Sequence, residues 1–141
     1  MTDTRRMDSP FSGPVRRRDD EFPAAIVRNG WSYHHPGVPT KTPRPGEKYL
    51  SPRRMVVSGF DTGPFGIEWL RFEQTSPLPE LIRTVPHLAF VVEDPDAALE
   101  GWEILLPAGS PSDGVRTAMI VDDGAPVERM EFRGGRNGRS G

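Results

Sequence analysis

Residues 86–101 read PHLAFVVEDPDAALEG, and residues 122–132 read DDGAPVERMEF. The first stretch opens with a histidine, His87, followed by small and apolar residues suited to a strand. Asp94 can then cap a helix, Pro95 suits its first position, and Ala97 to Glu100 continue it. Gly101 stops it after about two turns. The second stretch pairs a turn signal, Asp122-Asp123-Gly124, with the alternating run VERMEF from Val127. Side chains two apart share a strand face, so Glu128, Met130 and Phe132 lie on one side. Strands over Glu103–Pro107 and Val115–Asp122 lie between them, joined by the polar loop GSPSDG at residues 109–114. The order is strand, helix, strand, strand, strand.

Working outward, the same pattern recurs upstream. SYHHPGVPT from Ser32 is a strand-like run with histidines, MVVSGFDTG from Met55 runs into a turn, and IEWLRFE from Ile67 alternates. Glu68, Leu70 and Phe72 match Glu128, Met130 and Phe132, and Asp61-Thr62-Gly63 matches Asp122-Asp123-Gly124. A turn and a strand aligned together indicate duplication. His35 to Glu68 spans 33 positions and His87 to Glu128 spans 41; the eight missing residues equal one short helix. In its place stands KTPRPGEKYLSPRR, whose three prolines within ten residues oppose a regular helix. The expectation is an α+β chain with mostly antiparallel sheet: a first, truncated module at 29–78, a linker at 79–85 and a second module at 86–133. Residues 1–28 read as a disordered or loosely docked tail, with FPAAIV from Phe22 as a docking segment, and residues 134–141 as a flexible tail.

The run from Pro86 resembles the opening of a vicinal oxygen chelate module, and DDGAPVERMEF resembles its closing hairpin. HHPGV and GIEWLRFE resemble the same two ends in the first half, so the likeness covers roughly Trp31 to Phe132. It implies paired βαβββ modules whose sheets curl around a cavity. It also implies a divalent metal, Zn, Ni, Fe, Mn or Co, held by His35 and Glu68 from one half and His87 and Glu128 from the other. The pattern HxG favours His35 over His34, because His87 stands in the parallel pattern HxA; His34 is expected in the cavity wall or at the surface. The first module departs from the family in lacking a clear helix, and Pro36 after the histidine suits a bulge or an edge.

Two imidazoles and two carboxylates would form a neutral cage for a dication with positions left open. Such a site can polarise a carbonyl or stabilise an enediolate, with Glu128 first and Glu68 second as a proton base. The expected function is therefore a metal-dependent lyase or isomerase, ahead of a dioxygenase, acting on a small oxygenated metabolite. Two other readings stand beside it: a metal-free ligand-binding protein, and an interaction module whose interior is closed by Met55, Met119 and Met130. Each polar residue also has an ordinary reading, as a histidine satisfied by backbone or a glutamate facing solvent. Yet a carboxylate on the apolar face of a strand is costly unless paired or metal-bound. Trp31, Trp69 and Trp102 read as packing groups. Arg44, Lys48, Arg53 and Arg54 could line a mouth for an anionic substrate, but solvation is the commoner fate of such side chains.

Composition excludes other classes. The absence of cysteine removes disulfide, thiolate and thiol-nucleophile chemistry and fits a reducing, cytoplasmic setting. No run approaches the roughly 20 apolar residues of a membrane span. Between Asn29 and Phe132 nine basic residues face fifteen acidic ones, a net of -6, which argues against a nucleic-acid surface. Arg16-Arg17-Arg18 is followed at once by Asp19-Asp20-Glu21. GSPSDG lacks the lysine of a phosphate loop. The open sheet edges of a short first module lead to the expectation of a homodimer.

Overall fold

The computed structural model describes residues 19–133. The tail expected over 1–28 lies outside the described residues up to residue 18, as does all of 134–141. Within the docking segment, α1 (Ala24–Val27) is one helical turn, joined to the next strand through the Trp31 amide and the Ala25 carbonyl.

Eight strands follow: β1 (Ser32–Pro39), β2 (Lys48–Leu50), β3 (Met55–Ser58), β4 (Glu68–Phe72), β5 (His87–Val91), β6 (Glu103–Ser112), β7 (Val115–Asp122) and β8 (Ala125–Phe132). They form one mixed sheet in the order β2-β3-β4-β1-β5-β8-β7-β6, curled into a half-barrel. In each half the first strand pairs in parallel with the last, β1 with β4 and β5 with β8, and the remaining pairs are antiparallel. The halves meet where β1 and β5 run antiparallel at the centre. Reading outward from that seam, both halves show the same order: first strand, last strand, third strand, second strand.

Several local expectations are corrected. The two-turn helix after Asp94 is a single 3-10 turn, Ala97–Leu99. The N-cap is Asp96, without a side-chain cap bond, rather than Asp94; Asp94 instead accepts from the amides of Asp96 at 3.0 Å and Ala97 at 3.4 Å in the turn leading in. Gly101 then takes a positive φ of 83° and turns the chain into β6 too early for a longer helix. Arg129, buried on the outer face of β8, donates to the Ala98 carbonyl and packs against Trp31 and more loosely Trp102, tying this turn to the sheet. Trp102 is nonetheless 46% exposed, so it packs with one face only.

The polar loop expected at 109–114 is mostly strand. β6 runs on to Ser112, and only Asp113 and Gly114 turn the chain. β6 is an edge strand with three register irregularities, and so it tolerates Pro107 and Pro111, which a central strand would not. The hairpin at Asp123-Gly124 is as read: both residues have positive φ, 51° and 81°, the backbone of a tight two-residue turn.

The stretch expected as a linker holds α2 (Glu80–Thr84). It drops Ile82, 2% exposed, together with Leu78, against Met55, Leu70 and Met119 on the concave face. Burying an isoleucine there contributes about 1.5–3 kcal/mol, which anchors the crossover between the halves. The opposite face is covered more thinly, by Leu99, Ala118 and Ile120 under the 3-10 turn.

At the seam the register sets two transverse rows. Glu68, Gly37 and His87 form one; His35, Ala89, Glu128 and Met119 form the other. A Cβ built at Gly37 would overlap the His87 imidazole. Gly37→Ala is therefore expected to lower stability by about 1–3 kcal/mol, as overpacked cores do. In a His87→Ala background most of that loss should vanish. Urea unfolding of the two single variants and the double variant measures this.

Candidate metal centre in the half-barrel

The concave face encloses a cavity of about 320 Å³. Its walls are mostly apolar, with contributions from Leu70, Leu78 and Ile82. Met55, Met119 and Met130 line it without filling it, which weighs against an interior closed by its own side chains.

Into this cavity the structure brings all four residues that the duplicated pattern singles out, within one chain. The His35 imidazole Nε2 lies 3.1 Å from Glu68 Oε1 and 3.7 Å from Glu128 Oε1. His87 Nε2 lies 3.1 Å from the same Glu128 oxygen. Donor atoms of His35, His87 and Glu128, all buried, fall within 4.8 Å of one another. Glu68 approaches His35 from the rim, its side chain 25% exposed. The His87–Glu128 approach is close but lacks hydrogen-bond geometry, and among the described residues both buried His87 ring nitrogens have no hydrogen-bond partner. An orphaned buried polar atom costs roughly 1–3 kcal/mol.

His34 is in the cavity wall. The register of β1 against β5 shifts between Tyr33 and His35, a bulge that leaves His34 as the extra residue. Both neighbouring histidines consequently line the cavity. The His34 ring stacks on Phe60, centroids 4.5 Å apart, and its Nδ1 lies 2.8 Å from His35 Nδ1. One of these nitrogens must donate and the other accept. With His35 Nδ1 donating, its Nε2 presents a lone pair to the cluster, the arrangement that fixes a ligating imidazole. Pro36 sits just past the bulge and costs the strand little.

Burial sets the charge states. Burial pulls the His35 imidazole down to about 4; the Glu128 carboxylate opposes this, and His87 and His34 reinforce it. Burial pushes the Glu68 carboxyl up to about 7, with Glu128 adding to the rise. Burial would also raise Glu128, but the adjacent His87, then His35 and Arg53, outweigh it and hold that carboxyl below its ordinary range. The result is a neutral imidazole, a firmly ionised Glu128 and a Glu68 poised near neutrality.

Sequence reading gave too little weight to Arg53, which ends a 3-10 turn (Ser51–Arg53) between β2 and β3. It lines the cavity and donates from a guanidinium NH₂ to the Thr117 hydroxyl on β7 at 3.0 Å. No local signal separates it from Arg44 or Arg54, since its partner lies 64 positions away.

The donor set fits a divalent ion: imidazole nitrogen and carboxylate oxygen, buried, with an orphaned His87 nitrogen facing the cluster. No protein-family model matches the sequence, and no curated protein does. Among solved structures, the hypothetical protein BH1468 from Bacillus halodurans C-125 shares the fold. Its TM-score is 0.58 at 16% identity, over 74% of this chain and 96% of that one. The likeness concerns the fold alone. Among the described residues no helix is long and apolar enough to cross a membrane.

These charge states predict how ion uptake depends on pH. A carboxyl raised to about 7 must lose its proton to serve as a ligand, so affinity for a dication should rise as pH increases through 7. At pH 6 uptake should release protons, read by calorimetry in buffers of different ionisation enthalpy, and Glu68→Gln should lower the number released. In the ion-free protein the two shifts act oppositely on stability. The raised Glu68 stabilises fully below its ordinary value of 4.5 and loses this as pH rises through about 7. The lowered His35 stabilises above its ordinary value of 6.5 and loses this as pH falls through about 4.

Proposed function

We propose that this chain is a divalent-metal-dependent lyase or isomerase of the vicinal oxygen chelate kind, acting on a small oxygenated metabolite held in the half-barrel. The observation that carries the reading is the convergence of two equivalent His/Glu pairs on one apolar cavity. His35, His87 and Glu128 would hold the ion, with Glu68 as the fourth, more accessible group. A bound dication would supply Lewis-acid polarisation of a substrate carbonyl.

The protein's own groups divide the remaining work. Glu128, enclosed and held ionised, is suited to remain a ligand. Glu68, partly exposed and poised near 7, is suited to take a proton from a substrate carbon and return it, because a base is most effective near the working pH. This reverses the order of the two glutamates expected from sequence. His34 orients His35, and the apolar walls exclude water from the reacting carbon. Two histidines and one carboxylate are also the common dioxygenase ligand set; what favours lyase or isomerase chemistry is Glu68, a further carboxyl poised beside the cluster to move a proton.

A metal-free sequestering protein is the second reading, favoured by the mostly apolar cavity walls and the 3.1 Å approach of His35 to Glu68. Metal titration separates the two. Chelator-stripped protein should take up one Mn, Ni, Co or Zn ion per chain. His87→Ala and Glu128→Ala should each weaken uptake by at least about a hundredfold, beyond the 10–100-fold typical of losing an outer-shell partner. If none of these ions nor Fe(II) binds, the metal reading is lost.

The chain is further proposed to pair as a homodimer, because β2 and β6 end the sheet as open edges. The cluster itself is complete within one chain. A monomer by light scattering at micromolar concentration would remove the dimer.

A further inference from the structure

The cavity contains one cationic side chain whose role the metal cluster does not absorb. Arg53 reaches across from the β2–β3 turn to Thr117 and has no carboxylate within ion-pair distance among the described residues. One of its nitrogens is committed to Thr117. Among the described residues the remaining N–H groups have no partner, and they are not sealed off, in contrast to the ring nitrogens of His87.

Its position is built rather than incidental. The Arg53 carbonyl accepts from the Ser76 hydroxyl at 2.7 Å. The next residue, Arg54, holds a positive φ of 50°, and its carbonyl accepts from the Glu73 amide. A non-glycine residue in that region is uncommon and persists only where its surroundings enforce it. Here the 73–76 segment enforces it, and the turn delivers Arg53 to the cavity while Arg54 stays outside.

Charge balance points the same way. With Glu68 and Glu128 ionised and offset by a dication, Arg53 leaves the cavity one positive charge in excess. The rest of the lining is neutral or apolar. A volume of about 320 Å³ is at the low end for ligand pockets, so the occupant is small. A planar guanidinium edge matches a carboxylate in a two-point fork.

We propose that Arg53 is the anion anchor of this cavity, and that its ligands are small monocarboxylates with an apolar body. The carboxylate seats on the guanidinium, and the opposite end of the ligand faces the His35, His87 and Glu128 cluster. This names the substrate class of the metal-dependent reading and rests on it for the cavity's excess positive charge and for the fate of that opposite end. Thr117 positions the guanidinium and touches no ligand.

The test uses hydrocinnamate and its neutral amide as matched probes, titrated by calorimetry or amide NMR shifts. Wild type, Arg53→Gln and Arg53→Lys are each compared in chelator-treated and Mn-supplemented protein. Wild type should prefer the carboxylate by about tenfold, as expected for a charge-assisted pair. Arg53→Gln should reduce that preference to about twofold or less while leaving Mn affinity within about threefold of wild type. Arg53→Lys, which keeps the charge but not the fork, should fall between; if Arg53→Gln does not fold, an unreduced preference in Arg53→Lys overturns the anchor. A preference that survives Arg53→Gln, or a lower unfolding midpoint with the preference intact, also overturns it, leaving a strut between the halves. If Mn, Ni, Co, Zn and Fe(II) all fail to bind while the Arg53-dependent preference persists, the metal reading is removed and the anchor is supported.

Discussion

Everything at the centre of this molecule depends on the absence of side-chain bulk at two seam positions. Gly37 separates Glu68 from His87 across the sheet, and Ala89 separates His35 from Glu128. Neighbouring strands are nearly 5 Å apart, so groups two strands apart would ordinarily stand too far from one another to share an ion. Sheet curl and the empty space over Gly37 let the His87 imidazole lean over its neighbour instead. The two rows are related by the duplication: His35-x-Gly37 on β1 answers His87-x-Ala89 on β5.

The same enclosure produces the electrostatics. Removing water penalises every charge in the cluster, but each group meets a different neighbourhood. His35 lies deepest among other imidazoles and stays neutral. Glu128 sits against two imidazoles with Arg53 beyond and stays ionised. Glu68 has the rim position and the repulsion of Glu128, and is held between the two states. Differing protonation among similar side chains is what proton-transfer chemistry requires. The cost of burying them is offset by the apolar packing around Met55, Leu70, Ile82 and Met119.

Much of this was legible in the chain. Alternation in IEWLRFE and VERMEF placed each glutamate on the same face as two apolar residues, and the structure has them there. HxG against HxA distinguished His35 from His34, and the physical reason is the close approach of His87 over Gly37. Three prolines correctly removed the first helix. The second helix was overread: Asp94, Pro95 and two alanines satisfy the start rules and Gly101 ends the turn where the sequence puts the stop, but only the 3-10 turn Ala97–Leu99 forms between them. GSPSDG looked like a loop because its residues favour turns, yet an edge position lets them continue a strand.

The sequence by itself determined the duplication, the turns and the face on which each polar side chain stands, since strand alternation and positive-φ turns are properties of a few adjacent residues. Tertiary structure alone decided that α2 would anchor the crossover with Ile82, that a β1 bulge would bring His34 beside His35, and that Arg53 rather than Arg44 or Arg54 would enter the cavity. Those outcomes depend on contacts such as Arg53 with Thr117, formed between segments that come together only when the sheet curls.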